Sequence, residues 1–196
     1  MKEKGPIEKA IKAFSRFPGI GEKSASRMVY WLLGEGRELL PELSRSLSEL
    51  KENVKTCSVC GDFSVIDPCA ICSDSSRDLS LLMVVEDGKV LKVVEKTASF
   101  KGRYHILGGL LSPRLAIGPE KLRINELLKR IELEQIKEVI IALSSSQEGE
   151  ATSQWLIDKL KNLPVKITRL ARGMPVAVNL EYLDQESLKL AIEGRK

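Results

Sequence analysis

A chain of 196 residues with 43% hydrophobic and 30% charged side chains has the composition of a globular protein: one ordinary domain, or a compact domain with small appendages. No stretch approaches the ~20 apolar residues needed to span a bilayer, and Met1 to Lys12 alternates Lys and Glu with apolar residues instead of forming a secretory core, so a cytoplasmic protein without a membrane role is expected. The 31 Lys and Arg against 27 Asp and Glu give a net charge of +4, which permits a nucleic-acid partner without arguing for one.

In chain order, Ile7, Ala10, Ile11 and Phe14 stand at helical spacing, and Pro18-Gly19-Ile20-Gly21 breaks the pattern as a tight turn. A second helix carries Ala25, Met28, Val29, Leu32 and Leu33, with Gly34 and Gly36 as its stop. A third places Leu40, Leu43, Leu47, Leu50 and Val54 on one narrow seam, which faces either its own core or a partner helix. All four cysteines follow within residues 57 to 72. Leu79 to Glu86 then reads as a strand, Val90 to Lys96 as a short helix and Tyr104 to Leu107 as a strand. After an irregular loop from Gly108 to Pro119 come a helix over Ile124 to Leu133, a strand over Glu138 to Leu143, a helix over Glu150 to Leu160 and a strand over Val165 to Leu170. Strands alternating with helices predict an α/β fold whose mainly parallel sheet is covered by helices on both faces.

The cysteines form two pairs, Cys57-x2-Cys60 and Cys69-x2-Cys72, eight residues apart. Each pair can bring two thiolates to one metal, and the intervening loop, with turn chemistry from Gly61, Asp67 and Pro68, returns the second pair. One zinc per chain is the expected cofactor. With four thiolates it has no open position, so it is structural and not catalytic. A disulfide pair and an iron–sulfur site are the rival readings; compartment disfavours the first and spacing the second.

Phe17-Pro18-Gly19-Ile20-Gly21-Glu22-Lys23-Ser24-Ala25, between two amphipathic helices, resembles a helix-hairpin-helix DNA-binding element. Gly19 and Gly21 let backbone approach a phosphate, which then faces the N–H groups opening the next helix. Lys23 and Arg27, four residues apart, share one face and reach along the same backbone. The competing reading is an ordinary turn with solvated charges. A nucleotide-binding loop fits less well, because Glu22 precedes Lys23 and no glycine stands at the required upstream position.

Residues 80 to 170 resemble a Toprim domain, the metal-binding module of topoisomerases, primases and some nucleases. In the active enzymes a Glu follows the first strand and a DxD pair follows a later one. Here Glu86 matches the first, but Ser144 and Ser146 stand at both aspartate positions, and neutral hydroxyls are weak magnesium ligands. Glu86, Asp87, Glu148 and Glu150 remain at strand ends, either as a partner surface or as a solvated acidic rim. His105, the only histidine, lies inside a predicted strand and reads as structural, and Trp31 and Trp155 read as core.

Hairpin, four-cysteine module and Toprim-like region, in this order, resemble the RecR family over essentially the whole chain. Phe100-Lys101-Gly102-Arg103-Tyr104-His105, Leu107-Gly108-Gly109, Leu111-Ser112-Pro113 and Glu148-Gly149-Glu150-Ala151-Thr152 look like family hallmarks, and Gly173-Met174-Pro175-Val176 with Leu180-Glu181-Tyr182 resembles its C-terminal Walker-B-like stretch. The expected organisation is a hairpin region over 1–55, a zinc module over 56–78, a Toprim-like domain over 79–172 and an oligomerising segment over 173–196. The resemblance implies a mediator without catalytic activity that binds DNA as a ring of four. It further implies work with RecO-like and RecF-like proteins to load recombinase onto single-stranded DNA coated by its binding protein. The alternative class is a magnesium-dependent Toprim nuclease or topoisomerase-like enzyme, which would need aspartates at 144 and 146.

Overall fold

The computed structural model describes residues 5–171, 181 and 184–193. The chain divides into two compact units, Met1–Val54 and Lys55–Lys196.

The first unit is helical. Helix α1 (Pro6–Phe14) starts on a proline at its first position, whose missing N–H costs nothing there, with Glu8 in its first turn and Lys12 in its last, as the helix dipole favours. Helix α2 (Glu22–Leu33) packs against α1 and buries Ala25, Val29 and Leu32. It stops at Gly34, whose N–H reaches back to the carbonyls of Tyr30 and Trp31. Trp31 departs from expectation: it is 48% exposed. One helical residue rotates direction by about 100°, which carries position 31 off the stripe that buries its neighbour Leu32. Its ring instead lies on Gly36, where a Cβ would collide with it. Helix α3 (Leu39–Asn53) buries none of its residues.

The second unit opens with a two-stranded antiparallel ribbon, β1 (Lys55–Thr56) and β2 (Phe63–Ser64), and a one-turn helix α4 (Ala70–Ser73). There follow β3 (Asp78–Val85), α5 (Gly88–Lys96), β4 (Gly102–Ile106), α6 (Ile124–Leu133), β5 (Glu138–Ala142), α7 (Gln147–Leu160), β6 (Lys166–Arg169) and α8 (Gln185–Glu193). The four long-range strands pair in the order β4-β3-β5-β6, all parallel, with Val84 level with His105 on one side and Ile141 on the other. Alternate residues of each strand face opposite ways. Leu82, Val84, Val139 and Ile141 therefore meet Leu127 and Ile131 of α6 and Leu156 and Leu160 of α7. Met83, Val85, Tyr104 and Ile106 meet Leu91 of α5 on the other face.

The loop from Gly108 to Pro119 is less irregular than its composition suggests. It holds a 3-10 turn at Pro113–Leu115, another beginning at Pro119, and an isolated bridge between Ser112 and Ile117. Trp155 is half-buried at the rim of the larger core, with the Lys159 ammonium 5.2 Å from its ring centroid.

Candidate functional site

In the hairpin unit the turn after α1 is closed by the Ile20 N–H on the Phe17 carbonyl (3.1 Å), with Gly19 at φ +79°, where a side chain would be strained. Gly21 is the N-cap of α2 in extended conformation, and no side chain caps the helix. A Cβ on either glycine would meet nothing within 4 Å. Packing therefore does not demand Gly21, and the opening N–H groups of α2 stand clear. Lys23 and Arg27 are both exposed one turn apart on α2, beside this opening. Glu22, also exposed in the first turn, opposes an anion there. An apolar groove of about 240 Å³ lies between the helices, lined by Ile7, Phe14, Val29, Leu33 and Leu40 among others.

In the second unit, Cys57, Cys60, Cys69 and Cys72 are all buried, and their sulfurs lie within 4.8 Å of one another. Sulfurs 2.3 Å from a tetrahedral zinc are about 3.8 Å apart, and Cys60 Sγ and Cys69 Sγ stand at 3.6 Å, too far for a disulfide and close to that spacing. The Asp62 and Cys69 N–H groups point at Cys60 Sγ (3.4 Å) and Cys57 Sγ (3.3 Å), so backbone donors already serve thiolate charge. Four thiols in so small a volume cannot all ionise unaided. The hydrogen bond from Cys72 pulls Cys60 down to about 5 against the effect of burial, burial pushes Cys69 up to about 11, and the Cys72 thiol is raised by that same bond to Cys60 and by burial. A divalent cation at the centre removes the conflict. Asp67 Oδ1 accepts from both the N–H and the hydroxyl of Ser58 (2.8 Å each), which ties the two knuckles together.

The carboxyl ends of β3 and β5 border the point where successive connections leave the sheet in opposite directions, the usual place for a crevice in an open parallel sheet. A cleft of about 350 Å³ opens there, lined by Glu86, Asp87, Ser146 and Glu148 on one side and Leu115 and Ile117 on the other. Glu86 Oε2 lies 3.4 Å from the Ser144 N–H, which joins the two strand ends. The Ser144 and Ser146 hydroxyls bond each other at 2.9 Å, and Ser146 Oγ accepts the Gly149 N–H as the N-cap of α7. Asp87 Oδ1 likewise caps α5, accepting from Lys89 and Val90. Gly149 has no alternative, since a Cβ there would run into the Ser144 carbonyl.

Glu150 is separated from this group. It does not line the cleft and pairs instead with Arg169 Nη2 at 2.7 Å. His105 is fully buried, its Nε2 donating to the Arg123 carbonyl at 2.7 Å, and burial lowers its pKa to about 3, so it stays neutral and structural. Sequence reasoning overlooked Ser112, whose buried hydroxyl lines the cleft without a hydrogen-bond partner among the described residues. Only the Gly- and Pro-rich composition of its loop hinted at it. Of the C-terminal Walker-B-like stretch, only Glu181 is among the described residues; Gly173 to Leu180 and Tyr182 lie outside them.

Three family models match in succession: a helix-hairpin-helix of RecR over residues 7–51, a four-cysteine zinc finger domain of RecR over 54–74, and a Toprim domain over 80–171. The chain is 44% identical over 191 residues to recombination protein RecR of Pelotomaculum thermopropionicum, covering 97% of this chain and 96% of that one. It is 42% identical over 192 residues to recombination protein RecR of Bifidobacterium longum subsp. infantis, covering 98% and 96%. The chain belongs to the RecR family. As a RecR family member it has a role in recombination and repair, and its four clustered cysteines form the family's zinc site, holding one structural zinc. No helix among the described residues is long and apolar enough to cross a membrane.

Proposed function

We propose that this RecR family member is a recombination mediator without catalytic activity, which binds DNA through its hairpin and a partner protein through its acidic cleft. The observation that carries this reading is the pair of serine hydroxyls, Ser144 and Ser146, bonded to each other where a Toprim enzyme needs carboxylates for magnesium. Glu86 and Glu148 remain, beside apolar Leu115 and Ile117, a combination suited to a basic and partly apolar protein surface. The partner is a RecO-like protein, with a RecF-like protein in some settings, and the outcome is recombinase loading on single-stranded DNA coated by its binding protein.

The phosphate contacts come from Lys23 and Arg27 with the backbone at Gly19 and Gly21, where open space and unobstructed helix N–H groups favour an anion. A ring of four copies multiplies the contact. The α3 seam, with Leu47 51% and Leu50 58% exposed, and the apolar groove beside Leu40 supply surface for such assembly.

The test uses Glu148→Lys. Binding to a RecO-like protein of the same host should fall at least tenfold while zinc content and assembly mass stay unchanged. Robust magnesium-dependent nicking by the purified protein, abolished by Glu86→Ala, would overturn the reading.

A further inference from the structure

Three contacts join the first zinc knuckle to the sheet at the edge of the acidic cleft. The Cys60 carbonyl accepts the N–H of Ile106 at 2.8 Å, and Ile106 is the last residue of edge strand β4. Gly61, at φ +88°, lies under the Arg123 side chain; a Cβ at 61 would sit 2.7 Å from Arg123 Nε. Arg123 is itself fixed to the strand end, its N–H on the Leu107 carbonyl at 2.9 Å and its carbonyl on His105 Nε2 at 2.7 Å. Asp62, only 8% exposed, packs onto Gly88 so closely that a Cβ at 88 would collide with Asp62 Oδ1.

Gly88 is the first residue of α5, directly after Glu86 and Asp87 of the cleft. The Asp62 carboxylate therefore sits at the positive end of α5, beside the capping carboxylate of Asp87. Cys60, Gly61 and Asp62 are consecutive, and Cys60 is a zinc ligand whose sulfur also accepts the Asp62 N–H. The position of Asp62 is thus set by the same turn that wraps the metal.

We propose that Asp62 is a positioning residue for the acidic cleft. Through its interlock with Gly88, the zinc-bound knuckle holds the Glu86–Gly88 turn and the end of β4, so that metal occupancy sets the geometry of the cleft. Zinc loss then loosens this edge of the sheet before its centre. The centre, β3 against β5, is held by its own ladder and by both cores.

Amide hydrogen exchange on the full-length, zinc-loaded protein tests this without reference to any partner. Asp62→Ala and Gly88→Ala should each keep one zinc per chain and the parental mass. Each should speed exchange at Lys89, Val90 and Leu91 about tenfold while Val139 to Ala142 stay unchanged, because only local opening is eased. Asp62→Asn, which keeps the packing, should restore protection to within about fivefold, the helix-dipole share being small. Removing zinc with a chelator should expose the same amides and that of Ile106 first.

Protection at 89–91 that survives both Asp62→Ala and zinc removal would overturn the proposal, as would equal loosening of β5. Weaker partner binding by these variants rests in addition on the cleft reading given above. Exchange changes without a binding change would therefore count against that reading and not against the interlock.

Discussion

Replacing Lys23 and Arg27 together by alanine changes DNA affinity by an amount that the hairpin geometry bounds. Both side chains are exposed on α2, one turn apart, beside the uncapped helix start at Gly21. Each phosphate contact contributes a slope of about −0.9 to log affinity against log salt, so the double variant should lose about 1.8 per engaged chain. Between 50 and 200 mM salt that slope difference amounts to roughly 12-fold: the advantage of the parent over the variant should shrink by that factor. Because backbone and not base edges are contacted, the loss should be the same for unrelated sequences. Fluorescence anisotropy with labelled oligonucleotides across this salt range measures both quantities. Unchanged fold, zinc content and assembly mass exclude an indirect effect, as expected for two exposed side chains. Parallel salt plots for parent and variant would refute the assignment and move the DNA contact to the basic residues of the second unit.

Cys60→Ala should abolish zinc binding, measured as metal per chain by native mass spectrometry, and unfold residues 55–74, since a structural zinc site contributes on the order of 10 kcal/mol. Full zinc in the variant, or full-occupancy iron in the parent, would contradict the tetrathiolate zinc site. Glu95 holds together the segment leaving the zinc module: it receives both terminal nitrogens of Arg77 and the Tyr104 hydroxyl at 2.6 Å. With both side chains of the ion pair largely buried, Glu95→Gln should cost about 2 kcal/mol in urea unfolding at fixed zinc and protein concentration. The Arg77 guanidinium holds the Glu95 carboxyl below the ordinary range, so its contribution is complete above the unfolded value of about 4.3 and is lost as pH falls through the lower folded value. The gap between parent and variant should accordingly be flat above about pH 5 and close in more acid solution.

The order of elements was legible because their signals are local. Helical spacing of Ala25, Val29 and Leu32 marks the buried stripe of α2, and the apolar run before Glu86 marks the central strand. The zinc ligands were legible for the same reason, since two CxxC turns with a short return loop leave thiolates little freedom to be elsewhere. Trp31 was misread because apolar character says nothing about direction: a single step around the helix separates it from buried Leu32. Glu150 was grouped with Glu148 by proximity in sequence, but two residues on a helix point about 200° apart, which sends Glu150 to Arg169 and leaves Glu148 in the cleft.

By itself, then, the sequence determined the elements, the metal ligands and the loss of the Toprim aspartates, all of which depend on residue type and short spacing. Tertiary structure alone decided which groups share the cleft, that Ser112 joins it from a loop more than thirty residues before Ser146, and that Asp62 of the zinc knuckle abuts Gly88 of α5. Such contacts arise where parallel strands bring distant chain ends to one edge, and their closeness is set by packing of the whole sheet, which no local pattern encodes.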